Sequence, residues 1–213
     1  MFSRFPFLLR EWHEMGLHVH GRVLDLGCMN AALPQLLRHM MREYVGVDLN
    51  TKSVRSAHAK NPDYDFICCD IRSLPFQYGT FDLIFAVSIF EHIRPEILES
   101  VLRRISSLLR NRGNLIIQIP NSRFIIELHS KIPFFHYFPK RVQDWLMPKR
   151  DFYDLKPKQI ANYLIDIGSF EFRKYRYPPE VTHLPSFIKV PIPMGFLFLF
   201  TPAQTSVEEH DMQ

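Results

Sequence analysis

Arg22-Val23-Leu24-Asp25-Leu26-Gly27-Cys28 decides the fold. Val23, Leu24 and Leu26 flank a carboxylate, Asp25, and a glycine closes the run. That pattern reads as a strand buried on both faces, over 22–26, followed by a tight turn. A glycine just past such a strand lets the backbone reverse sharply and come close to a ligand. In open α/β sheets, ligands bind at the carboxyl ends of the strands, where the strand order reverses. Asp25 and Gly27 therefore mark the first corner of a candidate site.

Working outward, short apolar runs alternate with helical patterns. Residues 31–41 (AALPQLLRHMM) read as a helix, 44–48 (YVGVD) as a second strand and 51–60 as a short helix capped by Asn50 or Thr51. Strands are predicted over 64–69 and 81–87. Between 95 and 110 the apolar residues fall at 97, 98, 101, 102, 105, 108 and 109, a helical stripe. Asn111-Arg112-Gly113 reads as its terminator, and 114–119 as a fifth strand. Such alternation is the signature of βα units on a parallel sheet.

The composition bounds the rest. The chain has 213 residues, 46% hydrophobic and 23% charged, enough to bury a full core without staples. It excludes a collagen-like chain, a disulfide scaffold and wholesale disorder. The net charge is +4, too weak to point to a nucleic-acid partner. Cys28, Cys68 and Cys69 read as reduced thiols, because an adjacent pair strains a disulfide and an odd count leaves one over. With no run of about 18 apolar residues and no signal-like start, a cytoplasmic protein is expected.

Beyond residue 120 the pattern changes. Residues 124–200 hold 17 of the 29 aromatics, and prolines are frequent. A helix is expected over 155–167, ending at Gly168, then strands over 170–177 and 195–201. No linker separates this half. One domain is expected over 1–213: an N-terminal helical segment (1–20), a cofactor-binding half (21–120), an acceptor-side half with an aromatic insertion (121–200) and a tail (201–213). Residues 134–149 (FFHYFPKRVQDWLMPK) are amphipathic and basic. They read first as a lid over an apolar acceptor, second as a satellite core and third as a peripheral contact with an anionic membrane.

Three strand ends deliver carboxylates to one sheet edge: Asp25, Asp48 and Asp70. Asp48 lies 21 residues after Gly27, the spacing at which a carboxylate accepts hydrogen bonds from ribose hydroxyls. No G-x-G-x-x-G cradle and no P-loop lysine follows, so a nucleoside without phosphates fits better than a dinucleotide. Asp48 and Asp70 alone do not make a metal site.

In this order and spacing, VLDLGC, VGVD, CDIRSLPF, FDLIFAVSIFEHI and RGNLIIQIPN resemble a class I S-adenosylmethionine-dependent methyltransferase, of the small-molecule branch that includes quinone and glycan-cluster enzymes. The resemblance implies an α/β, Rossmann-like, seven-stranded, mostly parallel sheet with helices on both faces and the last strand antiparallel. It implies S-adenosylmethionine as cofactor, with S-adenosylhomocysteine as product. Asp25, Gly27, Cys28 and Met29 would lie about the methionine moiety, Asp48 at the ribose diol and Leu49 beside the adenine. Asp70 would meet the adenine amine and Ile71 its ring, with Ala86 and Val87 as the floor. His92, after the fourth strand, would be a general base toward an oxygen on an apolar or lipid-linked small molecule. A histidine's ordinary pKa near 6.5 suits that role. His129 and His136, in the aromatic insertion, are further candidates to face the acceptor.

The glycine loop departs from the family's usual G-x-G-x-G. Met29 and Ala31 stand at the second and third glycine positions. Met29 sets a side chain where the backbone would approach the methionine carboxylate. That feature supports a second reading, a catalytically weak domain that serves as scaffold or subunit for a partner protein.

Overall fold

The computed structural model describes residues 5–121, 135–148, 152–176 and 193–203. In chain order the elements are α1 (Phe5–Glu14), β1 (Arg22–Leu26), α2 (Leu33–Leu37), β2 (Glu43–Asp48), α3 (Thr51–Lys60), β3 (Asp65–Cys68), β4 (Phe81–Val87), α4 (Pro95–Ser107), β5 (Leu109–Pro120), α5 (Lys140–Leu146), α6 (Pro157–Ile165), β6 (Gly168–Tyr175) and β7 (Gly195–Pro202). They build one seven-stranded sheet of order β3-β2-β1-β4-β5-β7-β6. The five strands from β3 to β5 run parallel. β7 is antiparallel to both neighbours, wedged between β5 and β6. The order reverses between β1 and β4, so the switch point lies at the ends of those strands.

Strand composition explains the layering. β1 and β4 are buried along nearly their whole length, as strands covered on both faces must be. Successive residues feed opposite cores. Leu24, Leu26, Ile84 and Ala86 pack with Leu98, Leu102 and Ile105 of α4 and Ile160 and Leu164 of α6. Val23, Leu83 and Phe85 pack with Leu8 and Trp12 of α1 and Leu33 and Leu37 of α2. β7 does the same with Phe198 and Phe200 on one face and Leu197 and Leu199 on the other. Each such side chain contributes roughly 1.5–3 kcal/mol by leaving water. Arg173 of β6 pairs with Glu14 of α1 at 2.8 Å, tying the helix to the far edge of the sheet.

Three boundaries differ from the sequence reading. α2 covers only Leu33–Leu37, because Met29 and Ala31 take left-handed φ of 48° and 51° and Pro34 sits at its first turn. α6 begins at Pro157, and Gly168 opens β6 rather than ending the helix. α4 stops at Ser107, and Asn111-Arg112-Gly113 lies inside β5. There the register jumps from Phe81↔Leu109 to Leu83↔Asn114, a bulge that leaves three residues of β5 over. A Cβ on Gly113 would stand 3.1 Å from the carbonyl oxygens of Phe81 and Asp82. The glycine allows a close backbone approach and caps no helix.

A polar chain fixes the turn after β4. Ser88 takes a left-handed φ of 53°. Its Oγ donates to Gln118 Oε1 at 2.7 Å, and Gln118 Nε2 donates to the Tyr175 hydroxyl at 2.8 Å. Gln118 is fully buried, so these bonds satisfy groups that would otherwise cost stability. They also set the direction in which Ile89 to His92 leave the strand.

Candidate functional site

A cavity of about 490 Å³ opens at the carboxyl ends of β1 to β4. Gly27, Asp48, Leu49, Asp70, Ile71 and His92, all singled out in the sequence, line it together with Cys69, Arg72, Ile89, Ile93, Arg94 and Ile97.

The β1 turn comes first. Gly27 and Cys28 donate their N–H groups to the Val47 carbonyl at 2.8 and 3.0 Å. Gly27 takes φ 72°, and a Cβ there would lie 2.9 Å from Ile89 Cδ1. Glycine takes this left-handed turn without strain and leaves Ile89 in place. Asp48 ends β2. Its Oδ2 accepts from Met29 N–H at 2.9 Å and its Oδ1 from Asn50 N–H at 2.8 Å. One carboxylate thus holds the first two loops together and keeps lone pairs toward the cavity. Asn50 caps α3, accepting from Lys52 N–H at 2.9 Å.

Asp70 has two places in the structure. It lines the cavity, and it caps the turn Ile71–Ser73 by accepting from Arg72 N–H at 2.9 Å. The Arg72 guanidinium grips both carboxylate oxygens. That bond holds the Asp70 carboxyl below the usual carboxylate range. Most of its acceptor capacity is spent on Arg72, which the sequence reading missed. An Asp-x-Arg pair directly after a strand was the available signal.

The remaining expected residues do not line the cavity. Asp25 lies beneath the turn, 5% exposed, and accepts from the Tyr44 hydroxyl at 2.6 Å. Burial pushes its pKa up to about 7, against the Tyr44 bond, with the Asp48 charge adding to the rise. Cys28 is buried, and that burial with the charges of Asp25 and Asp48 drives its thiol pKa upward. It packs and is no nucleophile. Ala86 and Val87 are buried in the cores on opposite faces of β4. The turn set by Ser88 puts Ile89 where they were expected. Met29 is 63% exposed and outside the lining, since its left-handed backbone turns the side chain to solvent. It keeps a glycine's conformation without filling the cavity. We expect Met29→Gly to change S-adenosylhomocysteine affinity less than about threefold, because nothing is cleared from the site. It should relieve left-handed strain of roughly 1 kcal/mol, read by thermal melting of the ligand-free protein.

His92 lies half-buried on the turn Phe90–His92, its N–H bonded to the Ile89 carbonyl at 3.1 Å. His129 lies outside the described residues, as does the side chain of His136.

Residues 23–113 match the methyltransferase domain family. Over that stretch, less than half of its length, the chain is similar to methyltransferases. An uncharacterized protein of Methanocaldococcus jannaschii is 29% identical over 175 residues, 81% of this chain and 63% of that protein. The malonyl-[acyl-carrier protein] O-methyltransferase of Herminiimonas arsenicoxydans is 30% identical over 110 residues, 51% of this chain and 40% of that enzyme. The chain thus spans less than two thirds of either curated relative. Its fold is shared by the solved S-adenosylmethionine-dependent methyltransferases of Mesorhizobium loti (TM-score 0.72, 18% identity, 93% of this chain and 97% of that one) and Archaeoglobus fulgidus (0.64, 17%, 93% and 94%). Among the described residues no helix is long and apolar enough to cross a membrane.

Proposed function

We propose that this protein transfers the methyl group of S-adenosylmethionine to an oxygen of an apolar or lipid-linked small molecule. The observation that carries the reading is the meeting of Gly27, Asp48, Leu49, Ile71 and His92 around one cavity at the sheet's switch point. The donor set fits a nucleoside. A carboxylate with spare lone pairs faces the place of a ribose diol, and Leu49 and Ile71 offer apolar flanks to a purine ring.

When bound, S-adenosylmethionine supplies a sulfonium methyl already activated for displacement. The chain's own task is alignment. Asp48 and the Gly27 turn would hold the adenosyl and methionine ends in place. Holding donor and acceptor in a near-attack pose supplies roughly 7–11 kcal/mol. Ile89, Ile93 and Ile97 give the far wall an apolar character suited to an apolar acceptor, with Arg94 beside them. His92 would take the acceptor's hydroxyl proton as the new carbon–oxygen bond forms. The relative named as an O-methyltransferase agrees with oxygen as the target. The scaffold reading loses its main support, since Met29 leaves the cavity free.

Calorimetric titration with S-adenosylmethionine and S-adenosylhomocysteine tests the cofactor. Dissociation constants in the micromolar range are expected, and no heat at millimolar ligand would sink the reading. A screen of apolar alcohols, phenols and carboxylic acids then tests the acceptor. On the acceptor so found, His92→Ala should lower kcat roughly 10²–10⁴-fold while S-adenosylhomocysteine affinity stays within about threefold. An unchanged kcat would remove His92 from the chemistry.

A further inference from the structure

No residue of α5 is buried. Val142, Trp145 and Leu146 follow at spacings of three and four, so they share one side of the helix. Trp145 is 78% exposed, and Tyr137 and Phe138, just before the helix, are 62% and 38% exposed. A tryptophan and a tyrosine so exposed within one short segment form a patch that water disfavours. Phe135, two residues earlier, is fully buried and anchors the segment to the body. This removes the satellite-core reading for residues 137–146.

On α5 two basic residues stand against one acidic residue. Lys140 and Arg141 open the helix, and Lys140 pairs with Asp144 at 2.7 Å. Arg141 has no ion-pair partner among the described residues. Residues 123–150 hold six Lys/Arg against two Asp/Glu. Exposed aromatics with polar tips, flanked by Lys and Arg, are the composition of a helix lying in a membrane interface. A bilayer can take up the apolar side of a short helix without a matching knob. Beyond α5, the Tyr153 N–H donates to the Glu91 carbonyl at 2.7 Å, so the returning chain meets the turn that bears His92.

We propose that α5 and the turn before it form a docking surface for an anionic lipid bilayer. Tyr137, Phe138, Val142 and Trp145 enter the interface, and Lys140 and Arg141 sit among the headgroups. The assignment goes beyond methyl transfer and rests on no residue of the cofactor site.

The chain itself supplies the probe. It has two tryptophans. Trp12 is fully buried and Trp145 is exposed, so solvent-sensitive emission reports Trp145. Vesicles of phosphatidylcholine with phosphatidylglycerol should blue-shift that emission, shield it from acrylamide and carry the protein down on sedimentation. Vesicles of phosphatidylcholine alone should do so far less. Trp145→Phe should abolish the optical change. Lys140→Glu with Arg141→Glu should raise the lipid concentration for half-binding at least tenfold, at about fivefold per basic residue lost. No sedimentation with anionic vesicles overturns the proposal. So does equal binding to neutral vesicles with no effect of charge reversal. Trp145 shielding without lipid, on adding S-adenosylhomocysteine or on concentrating the protein, would instead mark a lid or a self-association face and overturn it too. S-adenosylhomocysteine titrated in the same samples keeps the two readings apart, because intact cofactor binding without vesicle binding sinks only the docking surface.

Discussion

Asp48→Ala should weaken S-adenosylhomocysteine binding at least about 100-fold, the largest loss expected from any single change at the site. Two effects add. Hydrogen bonds from a ribose diol to the carboxylate would be charge-assisted, each worth roughly 1.5–3 kcal/mol. The same carboxylate accepts from Met29 and Asn50 N–H groups, so its removal also frees the loops that shape the cavity. Those donors lie near solvent and water can replace Asp48, so the cost to folding should stay below about 2 kcal/mol. Asp48→Asn keeps one acceptor oxygen and loses the charge, which places it between wild type and Ala. Calorimetry gives the affinities, and melting of the ligand-free variants gives the stability. If Asp48→Ala binds within tenfold of wild type, the ribose assignment is wrong.

Much of this site was legible because it sits at strand ends. Five strands were expected near where they lie, since β1, β2 and β4 combine buried apolar runs with punctuating glycine or aspartate. Gly27 drew notice by its place just past β1 and Asp48 by its spacing from Gly27, and both line the cavity. What stayed hidden depends on contacts between elements. Leu108 and Leu109 continue the apolar period of α4, so the helix looked longer than it is. Only pairing with β4 shows that Leu109 opens a strand and that Gly113 serves a bulge. The exclusion of Ala86 and Val87 from the cavity depends on the left-handed Ser88, held by Gln118 and Tyr175 from two other strands. Met29 and Ala31 look like lost glycines in the sequence. In the fold they keep the left-handed backbone, and Met29 points its side chain outward. The Tyr44–Asp25 bond joins neighbouring strands two residues apart in register, which no linear pattern announces.

That buried pair sets the pH dependence of the fold. Asp25 has a pKa of about 7 in the folded chain against 3.8 for the ordinary group, chiefly because burial penalises its charge. Between these values the folded state holds a proton that the unfolded state has released. Stability therefore falls as pH rises from about 4 to 7 and stays low above. Each pKa unit is worth about 1.4 kcal/mol, so the full penalty is on the order of 4 kcal/mol, and more than half of it accrues between pH 5 and 8. Asp25→Asn carries no charge to bury and escapes that part. Its melting temperature relative to wild type should be higher at pH 8 than at pH 5 by about 5–10 °C, taking 2–4 °C per kcal/mol for a chain of this size. Tyr44→Phe should act oppositely. Its hydroxyl donates to the ionised carboxylate, so its loss raises the Asp25 pKa further and steepens the decline toward pH 8. Melting curves for the three proteins across pH 5 to 8 decide the matter. Parallel curves for wild type and Asp25→Asn would mean that Asp25 stays ionised throughout, solvated or paired more strongly than Tyr44 alone allows.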